Sequence, residues 1–301
     1  MTPRPATTTS NAPHNPIARV IWEGSIPIQL SWDLAEVTGY SLKHIEPLLI
    51  EAPRCSYLPI LTGQARNHIS ARHAQLTSDD SEVWYEYEGI PLKWHYPIGL
   101  LYDIHVLQAE AVQGAGGVQP LPWKVTMHFE DFPSDKLIKS LSSDSCQDYF
   151  MSMIKEADYL RNGTTKKVMN MSKSDQTQLW DGLWSNSYDL FWGMNQKLVL
   201  NDGTIARNLP IRIYLPENCP VVQEPVSPMD EQDQPRTLRQ ILNIALPDLF
   251  PLESSDSRQD AASVMIHGIT PSLDVNALWF AQNMAYPDNF LHLVIVFSKF
   301  P

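Results

Sequence analysis

The sequence predicts an α+β protein of 301 residues, in which two strand-rich regions flank a helix-rich middle. Two observations predict this class. Near both ends, apolar and polar residues alternate, which is the period of a half-buried strand. In the middle, apolar residues recur at three- and four-residue steps, which is the period of an amphipathic helix. Because 43% of the residues are hydrophobic, the chain also has enough apolar material for real cores.

The N-terminal region opens with a Pro-, Thr- and Asn-rich stretch, residues 1–16, which we expect to be a disordered tail. In "SIPIQLSW" the apolar residues Ile26, Ile28, Leu30 and Trp32 alternate with polar ones and predict a strand. The elements expected next are a strand at 55–62, a helix at 64–76, a strand at 82–89, a helix after Pro97 with Ile98, Leu101, Ile104 and His105 on its inner face, a flexible loop at 113–119, and a strand at 122–129.

The middle of the chain, from about 134 to 200, predicts helices. One helix is expected at 148–163, "DYFMSMIKEADYLRNG". A single longer helix is expected at 176–198, capped by Ser174 or Asp175. Its aromatic and apolar residues recur at helical spacing, and such a stripe is far more often a core face than a cofactor site.

The C-terminal region returns to strand patterns. We expect a strand at 209–216, a Pro- and acid-rich loop at 217–236, a helix capped by Thr237 and stopped by Pro247, an acidic loop at 247–262, a strand at 263–269, a helix at 272–285, and a strand at 289–297. Both ends thus share one order of elements, which is the order of a ubiquitin-like β-grasp module. The expected domains are the tail 1–16, a ubiquitin-like domain 17–133, a helix-rich domain 134–205 and a second ubiquitin-like domain 206–301.

The charge and the cysteine content of the sequence argue against several classes of function. The net charge is −12 and the longest cationic cluster is Lys166–Lys167, which argues against nucleic-acid binding and against direct attraction to anionic lipid. We see no signal-peptide pattern and no apolar run of about 18–20 residues. The three cysteines Cys55, Cys146 and Cys219 are far apart, which predicts buried free thiols in a cytosolic protein.

Catalytic motifs are not found in the sequence. It has no G-x-S-x-G, H-E-x-x-H, C-x-x-C or phosphate-binding glycine loop, so we predict a scaffold that is not an enzyme and needs no metal or cofactor. His95 and His267 are interpreted as hydrogen-bonded structural residues. The sequence ends "VFSKFP" without a terminal glycine, so we expect that its β-grasp modules are not conjugated to other proteins as donors.

One lysine, Lys155, lies on the outer face of the helix at 148–163 when residues are placed 100° apart. Its neighbours one turn away, Met151 and Tyr159, are both expected off the core face, and Asp158 is a candidate ion-pair partner. From geometry alone Lys155 is a solvated lysine, a salt-bridge partner, or a nucleophile that another protein's catalytic machinery uses.

Several stretches resemble the autophagy protein 5 family. They are "PRCSYLPI", "WYEYEGIPLKWHYPIGLLYD", "LPWKVTMHFEDFPS", "FMSMIKEADYL", "VMIHGITP" and "YPDNFLH", in family order from about 17 to 297. The departures are the N-terminal tail, the glycine-rich loop, and the insertions near 217–236 and 247–262.

This resemblance implies two ubiquitin-like domains around a helix-rich domain, and a function in autophagosome formation. It implies that Lys155 is joined by an isopeptide bond to the C-terminal glycine of the ubiquitin-like autophagy protein 12, delivered by an E2-like enzyme. It also implies that autophagy protein 16 binds noncovalently through a helix in a groove between the domains. The complex would act like an E3 in coupling autophagy protein 8 to phosphatidylethanolamine, reaching the preautophagosomal or isolation membrane only as a complex.

Two alternatives stay open. The chain is then either a noncovalent β-grasp adaptor whose lysine is not modified, or an enzyme with a cysteine or histidine site that the local sequence does not reveal. Met151 and Tyr159 are the candidate partner contacts beside Lys155.

Overall fold

A computed structural model of the chain describes residues 15–33, 37–38, 46–71, 75–76, 83–108, 121–139, 143–200, 206–216, 219–252 and 261–297. The tail at 1–14, the glycine-rich loop at 113–119 and part of the acidic loop at 247–262 lie outside the described residues. In these ranges the chain forms a five-stranded sheet, a small two-stranded ladder, a group of helices and a three-stranded sheet, and three large clusters of buried side chains form the cores.

The N-terminal region contains one five-stranded sheet. Its elements are α1 (Pro16–Trp22), β1 (Ser25–Trp32), β2 (Val37–Thr38), β3 (Leu48–Pro53), a 3₁₀ turn (Leu58–Leu61), α2 (Thr62–Ser70), β4 (Gln75–Leu76), β5 (Trp84–Tyr87), β6 (Ile90–Pro91), α3 (Ile98–Tyr102), a π-helical turn (Asp103–Gln108) and β7 (Trp123–His128). The strand order is β3-β1-β7-β5-β6, with β2 and β4 pairing separately.

The two long central strands, β1 and β7, run parallel, and β3 and β5 flank them as antiparallel neighbours. This is the β-grasp arrangement. The alternation predicted for β1 is confirmed, because Ile26, Ile28, Leu30 and Trp32 are all buried. Helix α2 covers the same face through Ala65 and Ile69, so the sheet and the helix share one core.

Three predictions for this region are wrong. The run at 55–62 is not a strand, because it makes one isolated bridge at Tyr57 and then turns into the 3₁₀ segment, in which Pro59 lacks an N–H for a ladder. The strand lies earlier, at Leu48–Pro53. Helix α2 ends at Ser70, not at residue 76. After α3 the buried position is Val106, and His105 is only half-buried.

The middle region contains four helices, α4 (Ser143–Asn162), α5 (Lys166–Met169), α6 (Lys173–Trp184) and α7 (Tyr188–Val199). The prediction of a single helix over 176–198 is wrong, because the chain turns between α6 and α7 at Asn186, which has a φ of 52°. The cap of α6 is Ser172, whose side chain accepts a hydrogen bond from the Asp175 N–H, and not Ser174 or Asp175. The core interpretation of the aromatic stripe is confirmed for Trp180, Leu183 and Phe191, with Met194 packed against them, but it is wrong for Trp184, which is 37% exposed.

The C-terminal region contains β8 (Ile211–Tyr214), α8 (Leu238–Ala245), β9 (Ala262–Met265), α9 (Ala277–Met284) and β10 (Leu291–Phe297). The strand order is β8-β10-β9, with β8 and β10 parallel and β9 antiparallel, as in the first sheet. The predicted cap is confirmed: Thr237 and Gln240 form a reciprocal capping box. Val222, in the loop at 219–236, forms an isolated β-bridge with Ile213 of the edge strand β8.

The two sheet regions are joined by a buried polar contact. Arg54 and Asp103 of the N-terminal region form an ion pair, and Asp103 Oδ2 also accepts a hydrogen bond of 2.9 Å from the Gly268 N–H. Gly268 follows β9 with a φ of 77°, a conformation that glycine adopts without strain. Gln108, also buried, donates to Tyr214 and Ile295 carbonyls in the C-terminal sheet. These contacts fix the two sheets relative to each other.

Candidate functional site

Lys155 lies in the middle of α4, the longest helix among the described residues. The inner face of α4 packs into the helical core through Cys146, Phe150 and Ile154, each at most 2% exposed. Lys155 lies on the opposite side and is exposed, as the helical spacing predicts. Among the residues that the structure describes, no acidic group lies within ion-pair distance of its ammonium group.

The two predicted neighbours of Lys155 differ in exposure. Tyr159 is 59% exposed, so it lies off the core face as expected. Met151 is only 8% exposed and belongs to the helical core. Its placement off the core face is therefore wrong, because α4 is covered on more than one side and its apolar sector is wider than a single stripe.

The predicted ion pair between Lys155 and Asp158 is also wrong. Asp158 is buried and its carboxylate accepts hydrogen bonds from Asn162 Nδ2 at 2.7 Å and from the Val168 N–H at 3.2 Å. The carboxylate thus ties the end of α4 to α5. A buried carboxylate keeps such partners because leaving it unpaired costs far more than an exposed ion pair gains.

The residue next to Lys155 is anchored to the C-terminal sheet. Glu156 accepts two hydrogen bonds from the guanidinium of Arg212 on β8, at 3.1 and 3.0 Å. Gln223, in the Pro- and acid-rich loop, accepts from Arg212 Nε at 2.8 Å and donates to Glu156 Oε1 at 2.7 Å. No local sequence pattern predicts this cluster, because Arg212 and Gln223 lie 56 and 67 residues from Glu156 in the chain.

The C-terminal end of α4 has a second anchor. Arg161 is buried and donates to the Asn289 carbonyl at 3.2 Å, and burial lowers the pKa of its guanidinium to about 10. Asn289 exchanges two side-chain hydrogen bonds with Asn195 of α7, at 3.1 and 2.9 Å. Helices α4 and α7 are therefore both held on the loop that precedes β10.

A groove lies between α1, α7 and α9, so that all three regions of the chain contribute to it. Its empty space is about 450 Å³, part of which is open to solvent. Its walls are mainly apolar and aromatic: Ala18, Ile21, Trp22, Tyr188, Phe191, Trp192, Val199, Ala281, Ala285, Tyr286 and Pro287 line it, together with Cys55 and several amide side chains. No local sequence pattern marks these residues as a groove, because they come from three separate regions of the chain.

Polar groups lie at and near this groove. Arg19 of α1 forms an ion pair with Asp189 of α7 and stacks over the Tyr188 ring at 4.3 Å. The Nε1 atom of Trp192 is buried without a hydrogen-bond partner in the described part of the chain. The groove thus combines an apolar floor with a few donors and charges, which suits an amphipathic helix.

Cys55, Cys146 and Cys219 are all free cysteines. Cys55 and Cys146 are buried, and burial raises the pKa of each thiol to about 12. Cys219 is exposed, so the expectation that all three are buried is wrong. His267 is hydrogen-bonded to the Met284 carbonyl at 2.8 Å, as expected. His95 is held among the rings of Trp94, Tyr96 and Tyr149, and its Nδ1 has no partner there.

Within the described ranges, no group of three or more His, Cys, Asp or Glu side chains is placed to hold a metal ion. No helix in those ranges is long and apolar enough to cross a membrane.

Fold and site together define a protein of two ubiquitin-like domains flanking a helical bundle, with an exposed lysine on the longest described helix of the bundle. Family models match all three parts: Autophagy protein ATG5, UblA domain at 21–129, its alpha-helical bundle region at 143–201, and its UblB domain at 208–295. The chain belongs to the autophagy protein 5 family, and it functions in autophagy.

Curated relatives support the same assignment over nearly the whole chain. Autophagy protein 5 of Phaeosphaeria nodorum is 35% identical, with 92% of this chain and 95% of that protein covered. Autophagy protein 5 of Drosophila melanogaster is 33% identical, with 93% and 96% covered. The crystal structure of Kluyveromyces marxianus Atg5 has the same fold, with a TM-score of 0.72 at 23% identity and 94% and 99% coverage.

Proposed function

We propose that this chain is the acceptor and scaffold subunit of an autophagy conjugation complex, with Lys155 as the acceptor. The ε-amine of Lys155 attacks the thioester carbon that joins the C-terminal glycine of autophagy protein 12 to an E2-like enzyme. A C–N bond forms, the C–S bond breaks, and the E2 cysteine leaves as a thiolate. The product is an isopeptide bond, and the proton lost by the amine passes to a base of the E2-like enzyme or to water.

The observation that carries this proposal is the exposure of Lys155 on a helix whose other side is locked into the core. A nucleophile in another protein's active site has to be reachable and held by a rigid backbone. The lysine meets both requirements, whereas the thiols of Cys55 and Cys146 are buried and have raised pKa values. The chain therefore supplies the amine while the E2-like enzyme supplies the chemistry.

The groove between α1, α7 and α9 supports the second part of the proposal, in which it holds the helix of autophagy protein 16. An apolar channel that three regions share is suited to a helix that inserts apolar anchors at i, i+3, i+4 and i+7. Bound in this way, the complex acts like an E3 and promotes the coupling of autophagy protein 8 to phosphatidylethanolamine. It works at the preautophagosomal or isolation membrane and reaches that membrane through its partners.

The test is a reconstituted conjugation reaction with autophagy protein 12 and its E1-like and E2-like enzymes. We expect Lys155→Arg to abolish the shifted band on a denaturing gel, because arginine keeps the charge but is not a usable nucleophile. Lys173→Arg, at an exposed lysine on α6, is the matched control and should conjugate normally. Persistence of the band in Lys155→Arg would show that the acceptor assignment is wrong.

The groove also favours a second function, that of a noncovalent adaptor, because it does not depend on Lys155. In that case Lys155→Arg would retain partner binding and full activity in lipidation of autophagy protein 8. Under the main proposal the same variant binds the groove partner normally but loses lipidation activity. Measuring both properties in one variant separates the two functions.

A further inference from the structure

We propose that Arg212 is a positioning residue for the acceptor reaction: with Gln223 it holds Glu156 and so fixes the turn of α4 that presents Lys155. This inference rests on the proposed function, since it concerns the same lysine. It also assigns a role to the Pro- and acid-rich loop, which carries Gln223.

The three side chains form a closed hydrogen-bonded ring. Both carboxylate oxygens of Glu156 accept from Arg212, and Gln223 bridges the remaining gap by accepting from Arg212 Nε and donating to Glu156 Oε1. One nitrogen, Arg212 Nη2, reaches both carboxylate oxygens, while Arg212 Nε is bonded to Gln223, so two different nitrogens of the guanidinium are held. Gln223 restrains the ring further, because rotation of either Arg212 or Glu156 would also break a hydrogen bond to Gln223.

An aromatic and apolar layer lies behind the ring. The guanidinium carbon of Arg212 lies 4.6 Å from the centroid of Phe290, which is fully buried against Met153 and Ala157 of α4. Tyr149 of α4 also packs against the cluster that contains Phe290. The residues of α4 that contact this layer thus lie on both sides of Lys155 in the chain, and the backbone at the lysine is held from each direction.

The reaction is sensitive to this placement. The amine has to reach within about 3–3.5 Å of a carbon in another protein's site, and a displacement of about 1 Å can slow such a reaction by a factor of about 100. A lysine side chain is flexible, so this chain controls the position of the amine mainly through its backbone. Since Glu156 is 39% exposed, its ion pair adds little to global stability. We infer that its main effect is local.

The decisive experiment measures conjugation with saturating E2 thioester and titrates the acceptor chain. We expect Arg212→Gln to lower the maximal rate by roughly 3–10-fold while the half-saturating concentration changes less than about twofold, because an interaction needed for the reacting geometry affects kcat. The paired exchange Glu156→Arg with Arg212→Glu should restore at least half of the lost rate. The matched control is Arg236→Gln, because the described hydrogen bonds of the Arg236 side chain go to two carbonyls of the same loop, those of Ser227 and Met229.

Each outcome decides the inference. A wild-type maximal rate in Arg212→Gln overturns it, and so does an equal loss in Arg236→Gln, which would indicate a general effect of disturbing the loop. If circular dichroism shows that Arg212→Gln does not fold, Gln223→Ala takes its place with the same expected direction, and a wild-type rate there overturns the inference. If Lys155→Arg still conjugates, the proposed function itself fails, whatever Arg212 does.

Discussion

At the scale of single residues, His267 makes the fold sensitive to acid. Its Nε2 is hydrogen-bonded to the Met284 carbonyl, and its Nδ1 is buried without a partner among the described residues. Burial lowers the pKa of His267 from 6.5 to about 3, and it lowers the pKa values of His95 and His105 to about 4. The folded chain therefore keeps these rings neutral under conditions in which the unfolded chain protonates them.

The direction of the pH effect follows from this difference. The contribution of each ring to the free energy of unfolding is fully present above pH 6.5. It is lost as the pH falls from 6.5 towards the lowered pKa of the ring in the folded chain. At pH 5 the loss is about 2 kcal/mol for each ring. We expect His267→Asn to reduce the pH dependence of the free energy of unfolding by the contribution of one ring. Asparagine tolerates the local φ of 52°. Urea unfolding between pH 7.5 and 5 measures this pH dependence. Parallel curves of the free energy of unfolding against pH for the variant and the wild type would contradict the prediction.

At the scale of secondary-structure elements, the corner between α6 and α7 depends on Gly182. A Cβ atom at this position would lie 2.5 Å from the Phe191 backbone nitrogen, which is far inside van der Waals contact. We expect Gly182→Ala to destabilise the chain by about 1–3 kcal/mol, because the two helices have to move apart. Denaturant unfolding followed by circular dichroism gives the change.

The same helix pair supplies the control for this prediction. Gly193 in α7 has room, since the nearest atom to an added Cβ, Gln178 Nε2, is 3.8 Å away. There the substitution to alanine should stabilise by about 0.4–1 kcal/mol, through helix propensity and lower entropy of the unfolded chain. An equal change in the free energy of unfolding for the two substitutions would show that close helix packing at the corner does not require Gly182.

Predictability from sequence differs among the elements for a physical reason. Strands β1 and β7 and the cap at Thr237 were predicted because their signals, alternation and capping chemistry, are contained in a few consecutive residues. Strand β3 was missed because its outward Leu49 is 69% exposed and breaks the alternation. The apolar run at 55–62 was misassigned because a short buried run has no period that distinguishes a strand from a helical turn.

The candidate site shows the same limit. The helical period predicts the exposure of Lys155, whereas the proposal that it is the acceptor comes from the family resemblance. The burial of Met151 and the anchoring of Glu156 could not be predicted, since both depend on elements distant in the chain that pack against α4. The groove is a property of three regions brought together, and no local pattern encodes it.

At the scale of the whole molecule, the contact between Arg54, Asp103 and Gly268 connects the two ubiquitin-like domains. Asp103 is fully buried, and its two carboxylate oxygens are divided between the guanidinium in its own domain and the backbone N–H in the other. Removing one member leaves an uncompensated buried charge. We expect Asp103→Leu to destabilise the protein by about 3–5 kcal/mol for that reason.

The double variant separates the loss of the charge from the loss of the contact. Arg54→Met combined with Asp103→Leu removes both charges and should recover most of the stability, because an apolar pair of similar size often replaces a buried ion pair at little cost. What the double variant should not recover is the coupling between domains, since the bond to the Gly268 N–H is still absent. Hydrogen exchange would then show faster opening of β9 than in wild type, at nearly equal global stability. Equal protection of β9 in both would mean that the other contacts between the domains, among them the hydrogen bonds of Gln108, hold β9 without the Asp103 contact.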